Sequence, residues 1–229
     1  MKPARNSLRA SKVTLILMLS ALVLTVTASA TPITYTLVVQ CAPNAVQCAD
    51  PSGTLGTLKF GGANGMVNLI FTFQGDTTNV LAYSVPGAHG YENLVSTSPA
   101  TIQIFDAKTG KQLAKATFKP AAKIFISVDN ANQGIGFGSF GAVPGSPSFP
   151  GQPVYPYTNY DSQVRLDTYD LRSTFTSGLG FDVSCVGFPT QPCGTPISLP
   201  TSLGSLVLNA QFVNGGNLYC CATFTAQTH

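Results

Sequence analysis

TIQIFDAKTGKQLAKATF, residues 101–118, admits two readings, and the choice between them sets the fold class. Lys111, Lys115, Lys119 and Lys123 recur every four residues, the spacing that lines side chains along one helix face. Against this, Thr101–Phe105 is a β-branched and aromatic run, and Lys108-Thr109-Gly110 is a turn signal. In Lys111–Phe118 the residues Ala114, Ala116 and Phe118 alternate with Lys115, Thr117 and Lys119. Alternation of period two belongs to a half-buried strand, and Pro120 stops any helix that would continue. The stretch therefore predicts a β-hairpin with its lysines in solvent, guarding an edge strand. A lysine row facing an anionic polymer is the alternative use of the same residues.

Outward from this hairpin the same pattern repeats. Short β-rich runs occur at 33–40, 54–60, 66–73, 80–85, 123–128, 164–171, 205–213 and 218–225. Turn-forming clusters separate them, such as GGANG at 61–65, QGD at 74–76 and NGG at 214–216. Many short strands with polar breaks and no repeat of fixed period predict an all-β chain. The expected architecture is an antiparallel, jelly-roll-like β-sandwich forming one domain over 31–229.

Residues 1–30 read as a cleaved signal peptide. Lys2, Arg5, Arg9 and Lys12 precede an apolar run from Val13 to Val26, and Ala28-Ser29-Ala30 supplies the small residues a signal peptidase reads. The apolar run is shorter than the roughly 20 residues of a membrane helix, so no membrane span is expected in the mature chain. The chain has 12 Lys and Arg and 9 Asp and Glu. Four of the 12 lie in the leader and none of the 9, so the mature balance is 8 − 9 = −1. No dense basic face remains to displace counterions from phosphates, which argues against a nucleic-acid partner. Only 9% of residues are charged, against about 25% in an ordinary soluble domain. A surface of Ser, Thr, Asn, Gln and Gly repels its copies weakly and favours self-association.

Cys41, Cys48, Cys185, Cys193, Cys220 and Cys221 are an even set, as disulfides in an oxidising compartment require. Cys220 and Cys221 are adjacent within a strand-like run and face opposite ways, so each needs a partner elsewhere. The connectivity stays open. No C-x-x-C pair accompanies them, which speaks against zinc.

GIGFGSFG, residues 134–141, has the G-x-G-x-x-G spacing of a dinucleotide loop at Gly136, Gly138 and Gly141. That loop works only where a strand turns into a helix, and the following AVPGSPSFPGQPVYPYTNY cannot form one. A strand with one bare face, against which an aromatic ring can pack, is the expectation instead. Just upstream, Asp129, Asn130 and Asn132 are clustered oxygen donors, with Asp76 as a distant carboxylate. They make calcium the one candidate ion, although the EF-hand pattern is not met and Asx turns account for the same residues.

Downstream, Pro144, Pro147, Pro150, Pro153 and Pro156 recur every third residue, one per turn of polyproline II. This Pro-rich loop, 141–160, carries Phe149, Tyr155, Tyr157 and Tyr160 as candidate binding residues, whose rings suit stacking on sugars or docking a partner.

Catalytic chemistry is thin. His89 is the only histidine besides the terminal His229, no G-x-S-x-G occurs, and Asp167 and Asp170 have Arg165 and Arg172 as structural partners. A hydrolase would have to centre on His89 and Glu92. The sequence thus predicts a secreted or periplasmic, non-catalytic, cofactor-free protein with a structural or adhesive role. Its expected partners are its own copies or cell-envelope polysaccharide. The alternative is a carbohydrate-binding module, assisted by calcium.

Overall fold

The computed structural model describes residues 29–40, 51–131, 133–140, 154–160, 166–177, 181–182, 197–208 and 221–229. Sixteen strands lie within them. The first eight are β1 (Pro32–Gln40), β2 (Gly53–Leu55), β3 (Leu58–Phe60), β4 (Val67–Asp76), β5 (Val80–Val85), β6 (Ala88–Asn93), β7 (Thr101–Asp106) and β8 (Gln112–Thr117). There follow β9 (Ile124–Asp129), β10 (Gly134–Ser139), β11 (Val154–Tyr160), β12 (Phe175–Thr176), β13 (Phe181–Asp182), β14 (Ile197–Thr201), β15 (Gly204–Leu208) and β16 (Cys221–Thr228). The only helical elements among the described residues are three single-turn 3-10 segments, so the chain is all-β. Among the described residues no helix is long and apolar enough to cross a membrane.

Three antiparallel sheets form. The first has the order β12-β16-β1-β4-β7-β8, the second β13-β11-β10-β9-β6-β5, and the third β14-β15-β2-β3. The chain passes from the first sheet to the second after β4, returns after β6, and crosses again after β8. Both large sheets send inward-facing side chains into a shared core, a sandwich-like arrangement. Across the first sheet the inward row Phe224–Leu37–Phe71–Ile102–Ala116 runs through five strands in register. Phe71 meets Phe137 of the second sheet at 5.6 Å between ring centroids. Ile126, Val128 and Ile135 complete that side, and Leu55, Phe60, Leu199 and Leu206 of the third sheet close one end. Each such side chain contributes about 1.5–3 kcal/mol by leaving water. Buried Asn93 and Tyr35 bridge the large sheets by polar contact. The Tyr35 hydroxyl donates to the Leu171 carbonyl (2.7 Å) and accepts from Asn93 Nδ2 (3.2 Å).

The 101–118 stretch is the hairpin β7–β8, with Thr101 opposite Thr117 and Ile102 opposite Ala116. Its turn is held by the Asp106 carboxylate, which accepts from the Thr109 amide at 2.6 Å and its hydroxyl at 2.7 Å. These bonds hold the Asp106 carboxyl below its usual range. β8 is the edge of the first sheet, and Lys108, Lys111, Lys115, Lys119 and Lys123 are all exposed.

Several runs differ from expectation, among them the short strands β12, β13 and β14, which lie outside the expected runs. Residues 54–60 are two strands rather than one, because Gly56 at φ +58° folds the chain back between β2 and β3. β6 was not expected, since AHGYEN lacks β-branched residues; its pairing with both β5 and β9 makes the strand. Residues 166–171 are not a strand. Leu166, Tyr169 and Leu171 are buried there, and the Asn130 amide holds the segment by donating to the Leu166 and Tyr169 carbonyls. Finally, 154–160, the end of the Pro-rich stretch, forms β11 on β10. Pro156 falls where that ladder shifts register, the kind of break at which a residue without an N–H is tolerated. Residues 141–153, with Phe149, lie outside the described residues, as do Cys41, Cys48, Cys185, Cys193 and Cys220. Cys221 stands in β16 opposite Gln40.

Candidate functional site

The second sheet gathers most of the residues that the sequence singles out. Core packing by Ile126, Val128, Ile135 and Phe137 fixes its inner face, so alternate residues form the outer one. Two outer rows follow from the register: Leu81–Glu92–Ser127–Gly136–Thr158 and Tyr83–Gly90–Asp129–Gly134–Tyr160.

The bare face of GIGFGSFG belongs here. Gly138 stands opposite Phe125, and a Cβ on it would come within 2.2 Å of the Phe125 ring. That ring is in turn stacked on Phe140 at 4.5 Å between centroids. The glycine makes room for an aromatic ring of its own chain, which is the packing expected from sequence. Tyr83 stands opposite Gly90, and its hydroxyl reaches the Val128 carbonyl at 3.2 Å.

Three of the four oxygen donors lie among the described residues. Asp129 accepts from the Ala131 amide at 2.9 Å, an Asx turn. Asn130 is buried and directs its amide nitrogen to two carbonyls, while Gln133 bridges the Asn130 carbonyl to Asp167. Asp76 ends β4 in the first sheet and caps the following 3-10 turn. It accepts from the Thr78 amide at 2.8 Å and hydroxyl at 2.6 Å, bonds that lower its pKa. Asn132 lies outside the described residues. Among the described residues, no three His, Cys, Asp or Glu side chains cluster as ion ligands would.

His89 and Glu92 share β6, three residues apart, and so occupy opposite faces of the sheet. His89 is exposed, and its carbonyl accepts from the Asn130 amide at 2.8 Å. Glu92 is half-buried, and loss of solvent raises its pKa. The candidate tyrosines divide as well: Tyr157 pairs with Phe137 and Tyr160 with Gly134, positions in alternate rows. Tyr155 sits within the register shift of the same ladder. Asp170 pairs with Arg172 at 3.4 Å as expected, and that guanidinium also lies over the Tyr91 ring at 5.6 Å.

A feature of the first sheet was not read from the sequence. One step along from the inward row, Thr176–Thr225–Thr36–Thr72–Thr101–Thr117 crosses all six strands in register, one threonine per strand. Adjacent strands lie about 4.8 Å apart, so hydroxyls recur at that interval over roughly 24 Å. Thr34 and Thr223 extend the same face along β1 and β16. None of the six is buried, and among the described residues no hydrogen bond takes up the hydroxyls of Thr36, Thr72, Thr101, Thr176 or Thr225. The T-x-T triplets TYT (34–36) and TFT (223–225) are the local signal, but the row exists only once register is known.

Comparison of the chain with protein-family models, curated proteins and solved structures finds no match.

Proposed function

We propose that this is an exported, disulfide-braced β-sandwich protein without catalytic machinery, acting in surface structure or adhesion at or outside the cell. The observation that carries the reading is the threonine row. A row of evenly spaced hydroxyls suits an extended polyhydroxylated polymer, where many weak hydrogen bonds add along a repeat. A small substrate would call instead for a concave pocket with converging polar groups. The separation of His89 from Glu92 and the engagement of Asp129 and Asn130 in turn and loop contacts support the non-catalytic, metal-independent form of the proposal. The leader-like residues 1–30, the even cysteine count and the low charge support export into an oxidising compartment.

Co-sedimentation of the protein with insoluble cell-envelope polysaccharide tests this. Wild type should pellet with the polymer, and Thr72→Arg and Thr101→Arg, which place charged bulk in mid-row, should each reduce the bound fraction by ten-fold or more. The reading is overturned if wild type neither pellets with the polymer nor associates with itself. Binding that both variants leave unchanged removes the threonine row from it.

A further inference from the structure

The two large sheets end in very different edges. β8 closes one side of the first sheet with exposed Lys115 in the strand and exposed Lys111 and Lys119 flanking it, the usual protection against strand addition. β5, one edge of the second sheet, reads VLAYSV, with no charge, no proline and no glycine. Leu81 is 57% exposed and Val85 45%, and Ala82 and Ser84 are exposed between them.

The backbone direction on this edge can be worked out. The His89 carbonyl accepts from the Asn130 amide, so His89 turns its backbone toward β9. Alternation then turns Ala88, Gly90 and Glu92 toward β5, where they meet Val85, Tyr83 and Leu81. Ala82 and Ser84 are left with their N–H and C=O groups facing outward. The edge is bounded on both sides. The Val80 carbonyl already accepts from Arg172 at 2.7 Å, and Pro86 has no N–H to offer.

We propose that β5 is the docking edge for a second copy of this chain, pairing antiparallel with its own counterpart about a two-fold axis at Tyr83. The bounds select the register. With Ala82 opposite Ser84 of the copy, and Ser84 opposite its Ala82, every outward N–H and C=O finds a partner, and neither Val80 nor Pro86 is needed. The same register sets Leu81 against Val85 of the copy, twice, and covers the two exposed apolar side chains of the strand. The strand is thus complementary to itself in hydrogen bonds, apolar contact and lack of charge. The product is an isologous dimer with one continuous sheet of twelve strands. A contact this short belongs to the weak, concentration-dependent class. The inference rests on the structural reading above but not on what the threonine row binds.

Sedimentation velocity of the protein from about 1 μM to 1 mM, in wild type and two variants, decides it. Ala82→Pro removes an outward N–H while keeping the inward ladder, and Leu81→Lys replaces an exposed apolar contact. Wild type should dimerise, and each variant should weaken the dimer at least ten-fold with its melting profile retained. If Ala82→Pro fails to fold, Leu81→Lys, at an exposed site, carries the test alone. Association undiminished in the folded variants overturns the β5 edge and leaves the structural reading standing. A wild type monomeric throughout overturns the edge, and overturns the structural reading only if polymer binding is absent too.

Discussion

Replacing Gly138 with alanine probes how the outer face of the second sheet is packed. The added methyl would lie 2.2, 2.5 and 2.7 Å from three atoms of the Phe125 ring, so contact is impossible without movement. A surface ring would swing away at little cost. This one is 1% exposed and stacked on Phe140, so it must leave its rotamer or push the strands apart. Overpacking of that kind costs about 1–3 kcal/mol. For a chain of this size, each kcal/mol lowers Tm by about 2–4 °C. Thermal and urea unfolding of Gly138→Ala should therefore show a drop of roughly 2–12 °C. Phe125→Leu provides the second half of a cycle: with the ring gone, Gly138→Ala should cost less than about 0.5 kcal/mol. A neutral Gly138→Ala, or the same loss in both backgrounds, would refute the ring-over-glycine explanation of the bare face.

Tyr35→Phe leaves the Leu171 carbonyl and an Asn93 amide proton unsatisfied in the core, and urea unfolding should register a loss of about 1–3 kcal/mol. Glu92 has its folded pKa raised by burial, so both states bind its proton at low pH and the folded state is penalised as pH rises past the usual glutamate range. Glu92→Gln should accordingly raise Tm at pH 8 and leave it unchanged at pH 3; a variant less stable at pH 8 would contradict this.

What the sequence disclosed depended on how local the cause was. The 101–118 hairpin was legible because alternation, a turn triplet and Pro120 all act within residues 101–120. The strand character of GIGFGSFG and its packing against an aromatic ring were legible for the same reason. Gly56 was hidden because TLGTLKF keeps a β-like composition through a turn that only its positive φ reveals. The 166–171 segment misled because buried Leu166, Tyr169 and Leu171 mimic a strand's apolar content, while their backbone is held by Asn130 and Gln133 from another part of the chain. The threonine row was invisible by construction, since its six members come from six strands between residues 36 and 225 and share nothing but register. The β5 edge was hidden likewise, because β6 was not expected and the sheet order decides which strand lies outermost.

The central claim is that the chain works outside the cytoplasm as a disulfide-closed assembling unit. Native mass spectrometry of the protein exported by its own host, taken without reductant, tests it most directly. The expected result is a chain beginning at Thr31, lighter by six hydrogens than its all-thiol mass as three disulfides require, with a dimer that grows with concentration. A chain that keeps residues 1–30, carries six free thiols and stays single at every concentration would contradict it.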